Sequence, residues 1–304
     1  MHQKSTLIIP IIILSLLGLV SCEKFEGSQT VPAYLTIDTI GLKVEAGIQG
    51  SASANITDAW VYVDDQLIGA FELPATIPLL VTGQHKVFIR PGIILNGMLS
   101  LRTYYPFYNP ITKTLKFAPD SVTRMPQQSV NGKSAVYTTY TEKTYITWAE
   151  NFDDQSLTID TTSDSNVAFE LTSSSDTNTF EGAFSGKIRL TSDTDVFEAV
   201  TTENYALPQL AAPVFLEINY KGTNSFTIGV FANTTEQVVQ QPVVDIYPKA
   251  NWNKIYVNLT SIVSSFTTAK KFSIFIGATK DADVSTGEIY IDNMKLVYNN
   301  QTNE

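Results

Sequence analysis

Beyond residue 22 of this 304-residue chain, no long segment keeps a 3.6-residue apolar period. Instead, β-branched and aromatic residues alternate with polar ones, and Gly, Pro, Asn and Asp interrupt them at short intervals. Leu216, Ile218 and Tyr220 fall on one face of a strand, with Phe215, Glu217 and Asn219 on the other. Near the end, Ile289 and Ile291 alternate with Tyr290 and Asp292. One apolar and one mixed face is what a two-sheet sandwich requires. The chain is therefore predicted to be all-β. Its length favours two domains, with the joint near Tyr140–Glu150, so that residues 34–145 form the first and 146–304 the second. The Ser/Thr/Asp-rich stretch Thr158–Thr179 has little to bury and reads as loops around one short strand, Val167–Leu171.

The N-terminus constrains location. Lys4 precedes an apolar run from Leu7 to Val20. That is the length of a signal-peptide core and short of the roughly 20 residues that span a bilayer. The run ends in Leu19-Val20-Ser21-Cys22, which contains the sole cysteine and resembles the bacterial lipobox. The resemblance implies that residues 1–21 are a cleaved signal, that the Cys22 thiol and the new N-terminus carry acyl chains, and that 22–33 is a tether. Several acyl chains together hold a membrane stably where one does not. Glu23 and Glu26 resemble the surface-export signals of Bacteroidota lipoproteins, which implies the outer membrane and its outward leaflet. A lone cysteine makes no internal disulfide, so stability must come from core burial.

Composition narrows the chemistry. Twenty basic against thirty acidic residues leave a formal charge of −10, which argues against a nucleic-acid partner. Only two histidines occur, and His2 lies in the signal. His85 alternates with Val87 and Ile89 and reads as a half-buried strand residue. A multi-histidine zinc site and a serine–histidine triad are disfavoured. No G-x-S-x-G, phosphate-binding glycine loop or H-E-x-x-H is present. A non-enzyme is expected.

Two resemblances cover most of the mature chain. Ala59-Trp60-Val61-Tyr62-Val63 and Leu67-Ile68-Gly69 flank an Asp64-Asp65-Gln66 turn, a hairpin signal. With Gly83-Gln84-His85 through Pro91-Gly92, this order resembles PEGA-type domains, small β-sandwiches of bacterial surface proteins, and implies a PEGA-like or immunoglobulin-like first domain. The second domain opens on Phe152-Asp153. It continues through Ser185-Gly186-Lys187-Ile188-Arg189-Leu190 and Trp252-Asn253-Lys254-Ile255-Tyr256-Val257-Asn258-Leu259, and closes on Ile289-Tyr290-Ile291-Asp292-Asn293. In that order the pieces resemble the galactose-binding-like jelly roll of many carbohydrate-binding modules.

The jelly-roll resemblance implies a structural Ca²⁺ between first and last strands, with Asp153 and Asp292 at the matching positions and Glu150 beside them. Ca²⁺ takes six to eight oxygens, which carboxylates and loop carbonyls supply. For polysaccharide, ring faces are the physical requirement, and Tyr205, Tyr220, Tyr247 and Trp252 are the candidate platforms. Tyr104, Tyr105, Phe107 and Tyr108 sit among prolines and form either a contact loop or packing against the other domain. The expectation is a non-catalytic surface lipoprotein with glycan bound by a jelly roll that folds independently. A structural or assembly lipoprotein gripping another envelope protein is the competitor, and a glycan-active hydrolase weighs least.

Overall fold

The computed structural model describes residues 31–154, 156–173 and 177–299. Cys22 and the apolar run read as a signal lie outside them. The protein is all-β, and among the described residues the single helix is α1, Thr260–Ser265.

In the first domain, β4 (Gln66–Glu72), β3 (Asp58–Val63), β6 (Gly83–Ile94) and β7 (Arg102–Tyr104) lie in that order, with β8 (Ile111–Phe117) also on β6. The other layer has two small sheets. One is β5 (Ala75–Leu79), β1 (Ala33–Ile37) and β9 (Val122–Arg124). The other is β10 (Gln128–Val130), β11 (Lys133–Thr139) and β2 (Ile40–Lys43). The β3–β4 hairpin turns on Asp64 and Asp65, with φ of 48° and 66°, a two-residue turn of the I′ kind that matches strand twist. His85 is half-buried as expected and its Nδ1 lies 2.6 Å from Asp64 Oδ2. That hydrogen bond, then one to the Thr82 carbonyl, pushes its pKa up.

The second domain is a sandwich. One sheet runs β14 (Glu170–Leu171), β15 (Gly186–Leu190), β22 (Gly287–Asn299), β17 (Val214–Gly222), β20 (Asn253–Asn258), with β12 (Thr144–Glu150) on the far half of β22. The facing sheet runs β13 (Ile159–Thr161), β16 (Val196–Thr201), β21 (Lys271–Thr279), β18 (Phe226–Asn233), β19 (Val238–Ile246). All these pairs are antiparallel, as in a jelly roll. Of the loop-rich stretch, Glu170–Leu171 pairs as strand while Val167 to Phe169 does not, and Ile159–Thr161 adds a strand the composition hid because Ile159 alone reaches the core.

β22 carries the fold's one adjustment that decides which side chains meet. Ile289 and Ile291 face the core, and so do Met294 and Leu296. An odd step separates the two sets. Asn293 absorbs it with φ 47°, a left-handed conformation that Asn tolerates better than most residues, where the register against β17 slips.

The two domains are not beads on a string. The core of residues 33–140 continues into Phe215, Tyr256 and Val297, which project from the outer face of the jelly roll. Every residue from Val214 to Tyr220 is buried, on both faces of β17. The mixed face read from the sequence is covered because the first domain sits on it.

Candidate functional site

The covered half of that outer face holds a buried charge cluster. Glu217 is 0% exposed. Its carboxylate accepts hydrogen bonds from the Tyr105 hydroxyl at 2.9 Å and from the Tyr140 hydroxyl at 2.9 and 3.1 Å. Lys254 Nζ stands 3.0 Å away as an ion pair. Lys295 Nζ donates to the Ser51 carbonyl at 2.6 Å. Burial by itself pushes Glu217 up, but the Lys254 and Lys295 charges and the Tyr105 hydroxyl outweigh it and hold the carboxyl below its ordinary value. Desolvation lowers Lys295 to about 8 against the pull of Glu217. Tyr105, Phe107 and Tyr108 are buried here, ring to ring with Phe215 and Tyr256 at centroid distances of 4.8 to 6.4 Å. They are therefore interdomain packing and not a free contact loop. Tyr104 alone stays out, with the Arg90 guanidinium 4.4 Å from its ring centre.

The other half of the same face is different: its residues are half-buried, and Tyr290 at the centre is 5% exposed. Lys187, Tyr290 and Lys221 lie side by side on β15, β22 and β17. Lys221 Nζ stands 5.5 Å from the Trp252 ring and 5.4 Å from Tyr290, and Lys187 Nζ 6.0 Å from Tyr290. Trp252 is half-buried against Phe180, ring centres 5.1 Å apart, and its buried Nε1 has no acceptor. Tyr290 donates to Glu288 at 3.1 Å. Of the predicted platforms, only Trp252 joins this strip.

The others lie elsewhere. Tyr220 is 3% exposed and packs on Phe226 inside the sandwich, because its strand parity points it at the core; it offers no ring to a ligand. Tyr205 leans on Trp148 at 6.3 Å and is tied by backbone bonds to Phe272. Desolvation, then Glu203 and Glu150, raise its pKa to about 12. Tyr247 is 75% exposed. On the outer face of the facing sheet, Phe231 and Phe275 are tilted by 51°, and Phe275 is 3% exposed beneath neighbouring side chains. No coplanar exposed pair forms there.

The three predicted metal acids are held by protein donors. Glu150 accepts from the Phe152 and Thr158 amides and the Thr158 hydroxyl at 2.7 to 2.8 Å. Asp153 accepts from the Ala183 amide at 2.8 Å and from the Asn151 side chain at 2.7 Å. Asp292 is 0% exposed and accepts from the Ser185 hydroxyl at 2.6 Å and the Asn293 amide at 2.7 Å. Burial raises its pKa to about 7, against those hydrogen bonds. Among the described residues no three His, Cys, Asp or Glu side chains gather as a metal cluster.

Sequence reasoning missed Lys187, Lys221, Tyr290 and Phe180. The strand alternation that puts Ile289 and Ile291 inside also puts Tyr290 outside, and that signal was readable.

No protein-family profile and no curated protein matches the chain. Several solved structures are similar in shape. The CBM22-1 xylan-binding domain of Paenibacillus barcinonensis is 9% identical at a TM-score of 0.38, over 52% of this chain and 97% of that one. A family 11 carbohydrate-binding module from Clostridium thermocellum, in complex with a β-1,3-1,4-mixed-linked tetrasaccharide, is 13% identical at 0.34, over 49% and 94%. The enzymatically active domain of a bacteriophage CBA120 tailspike is 13% identical at 0.37, and this chain spans 20% of its length. At such distances the sandwich assignment stands on this chain's own strand pairing.

Proposed function

We propose that this protein is a non-catalytic, acylated cell-envelope lipoprotein that binds glycan on the half of its jelly-roll face that carries Trp252 and Lys221. The observation that carries the reading is Trp252. Its half-buried ring and Lys221 beside it supply the ring surface and a donor that sugar recognition uses. Anchoring through Cys22 at the outer membrane is supported by the lipobox at the end of the apolar run. The carbohydrate-binding modules of similar shape agree with the reading without carrying it.

The test is a glycan array probed with the mature chain carrying Cys22→Ser, followed by the same chain with Trp252→Ala. Retention lost with Trp252, and no release of reducing sugar, support the reading. An array with no retained glycan overturns it. The anchor is checked separately: wild type is expected to partition into the detergent phase and Cys22→Ala to stay aqueous. A second reading, assembly with another envelope protein, draws on residues 98–101, where Met98, Leu99 and Leu101 are exposed.

A further inference from the structure

Between the two domains runs a cleft of about 550 Å³. One wall is the β2–β11 face of the first domain, with Gly41, Ser134 and Tyr137. The other is Phe180 and Glu181 of the second, and Ser53 also lines it. We infer that this cleft is a saccharide-binding site shared by both domains, with Tyr137 as the first-domain platform. The inference rests on the glycan reading above and extends it to a wall that the jelly roll does not own.

Four observations carry it. First, Tyr137 lies across the backbone of Gly41: a Cβ there would stand 2.7 Å from its Cε1. Only glycine lets the ring settle so low. The Tyr137 hydroxyl donates to the Lys133 carbonyl at 3.0 Å, which fixes the ring while leaving it half-exposed. Second, Phe180 links the walls, since it lines the cleft and packs on Trp252. Phe180 thus stands between the cleft and the strip that the glycan reading uses. Third, the polar groups have unused capacity. Ser53 Oγ accepts from Asn219 at 2.8 Å and keeps its own proton to give. Ser134 Oγ donates to Gln127 at 2.8 Å and keeps its lone pairs. Behind Ser53, Asn219 Oδ1 is buried without a donor. Fourth, size and chemistry agree. The volume lies within the roughly 300–1,000 Å³ of small-ligand sites. Rings on two walls with hydroxyl and carboxylate groups between them match the apolar faces and hydroxyl rim of a neutral sugar.

The experiment uses the mature chain with Cys22→Ser in affinity gels containing soluble xylan, mixed-linked β-glucan, mannan or starch. Tyr137→Ala is expected to weaken retention by the best polysaccharide about tenfold, the scale of one lost stacking contact, and Tyr137→Phe to leave it near wild type. The unmodified chain gives a readout that needs no variant. Saturating polysaccharide is expected to slow amide exchange in both 39–43 and 178–181. Protection confined to the second domain, or Tyr137→Ala binding like wild type, overturns the shared cleft and leaves the glycan reading standing. Retention by none of the four polysaccharides overturns the shared cleft, and the glycan reading falls only if the array is also blank. A polypeptide cross-linked from position 137 in cells, with no polysaccharide bound, assigns the cleft to a protein and overturns the inference.

Discussion

Tyr140, at the end of the first domain, donates its hydroxyl to both oxygens of Glu217 in the middle of the jelly roll, at 2.9 and 3.1 Å. Across that bond lie Lys254 and Lys295, both almost wholly buried. A buried ion pair contributes little net stability when whole, but removing one partner strands the others' charge. Glu217→Ala is therefore expected to destabilise the protein by roughly 3–5 kcal/mol, read as a lower urea midpoint. Tyr140→Phe removes one donor and leaves the carboxylate its other partners, so about 1–3 kcal/mol is expected. Equal, small effects from both would show that the cluster does not hold the domains together.

The same face decides how the second domain behaves alone. Cutting away the first domain would expose Phe215, Tyr256 and Val297, along with Glu217 and Lys254. A fragment of residues 146–304 is expected to aggregate or to bind a hydrophobic dye strongly, and a chain of residues 22–304 to melt in a single transition. A monomeric fragment with its own cooperative melt would restore the independence that the sequence suggested.

Strand alternation made the all-β class and the inward faces of β17 and β22 legible, because period-two patterning depends only on neighbouring residues. The Asp64–Asp65 turn was legible for the same reason. Asn131-Gly132, whose φ values of 51° and 76° close the β10–β11 hairpin, carried an equally local signal that went unread. Glu217 was not legible as an interdomain joint. Nothing near it in sequence says that Tyr105, 112 residues away, will sit against it. Tyr220 failed as a platform for the opposite reason: its parity was readable and placed it inside.

Asn293 offers a local check on β22. With φ 47°, an alanine there meets the steric penalty of the left-handed region, about 1–2 kcal/mol, while glycine does not. Asn293→Ala is expected to lower the melting temperature more than Asn293→Gly. Both variants lose the side-chain bond from Asn293 to Glu181, 2.8 Å, so the reverse order would show that the left-handed backbone does not set the difference between them.

Asp292 sets a pH dependence whose sign is fixed by its burial. Its pKa rises from 3.8 to about 7 in the folded protein, chiefly through desolvation. A carboxyl that binds its proton more tightly when folded adds stability below its unfolded pKa and loses it as pH climbs through the folded value. This group's contribution is thus expected to fall between about pH 4 and 7, by on the order of 4 kcal/mol at 1.36 kcal/mol per unit. Urea midpoints measured across that range, wild type against Asp292→Asn, isolate it, since the amide cannot titrate. Parallel slopes for the two proteins would show that the carboxyl is not held neutral. The same titration tests the proposed calcium site. An ion beside Asp153 and Asp292 would keep Asp292 ionised and lower its pKa, so excess calcium should flatten the wild-type slope and a chelator restore it. A slope indifferent to both leaves the Ser185 hydroxyl and the Asn293 amide as the carboxyl's partners.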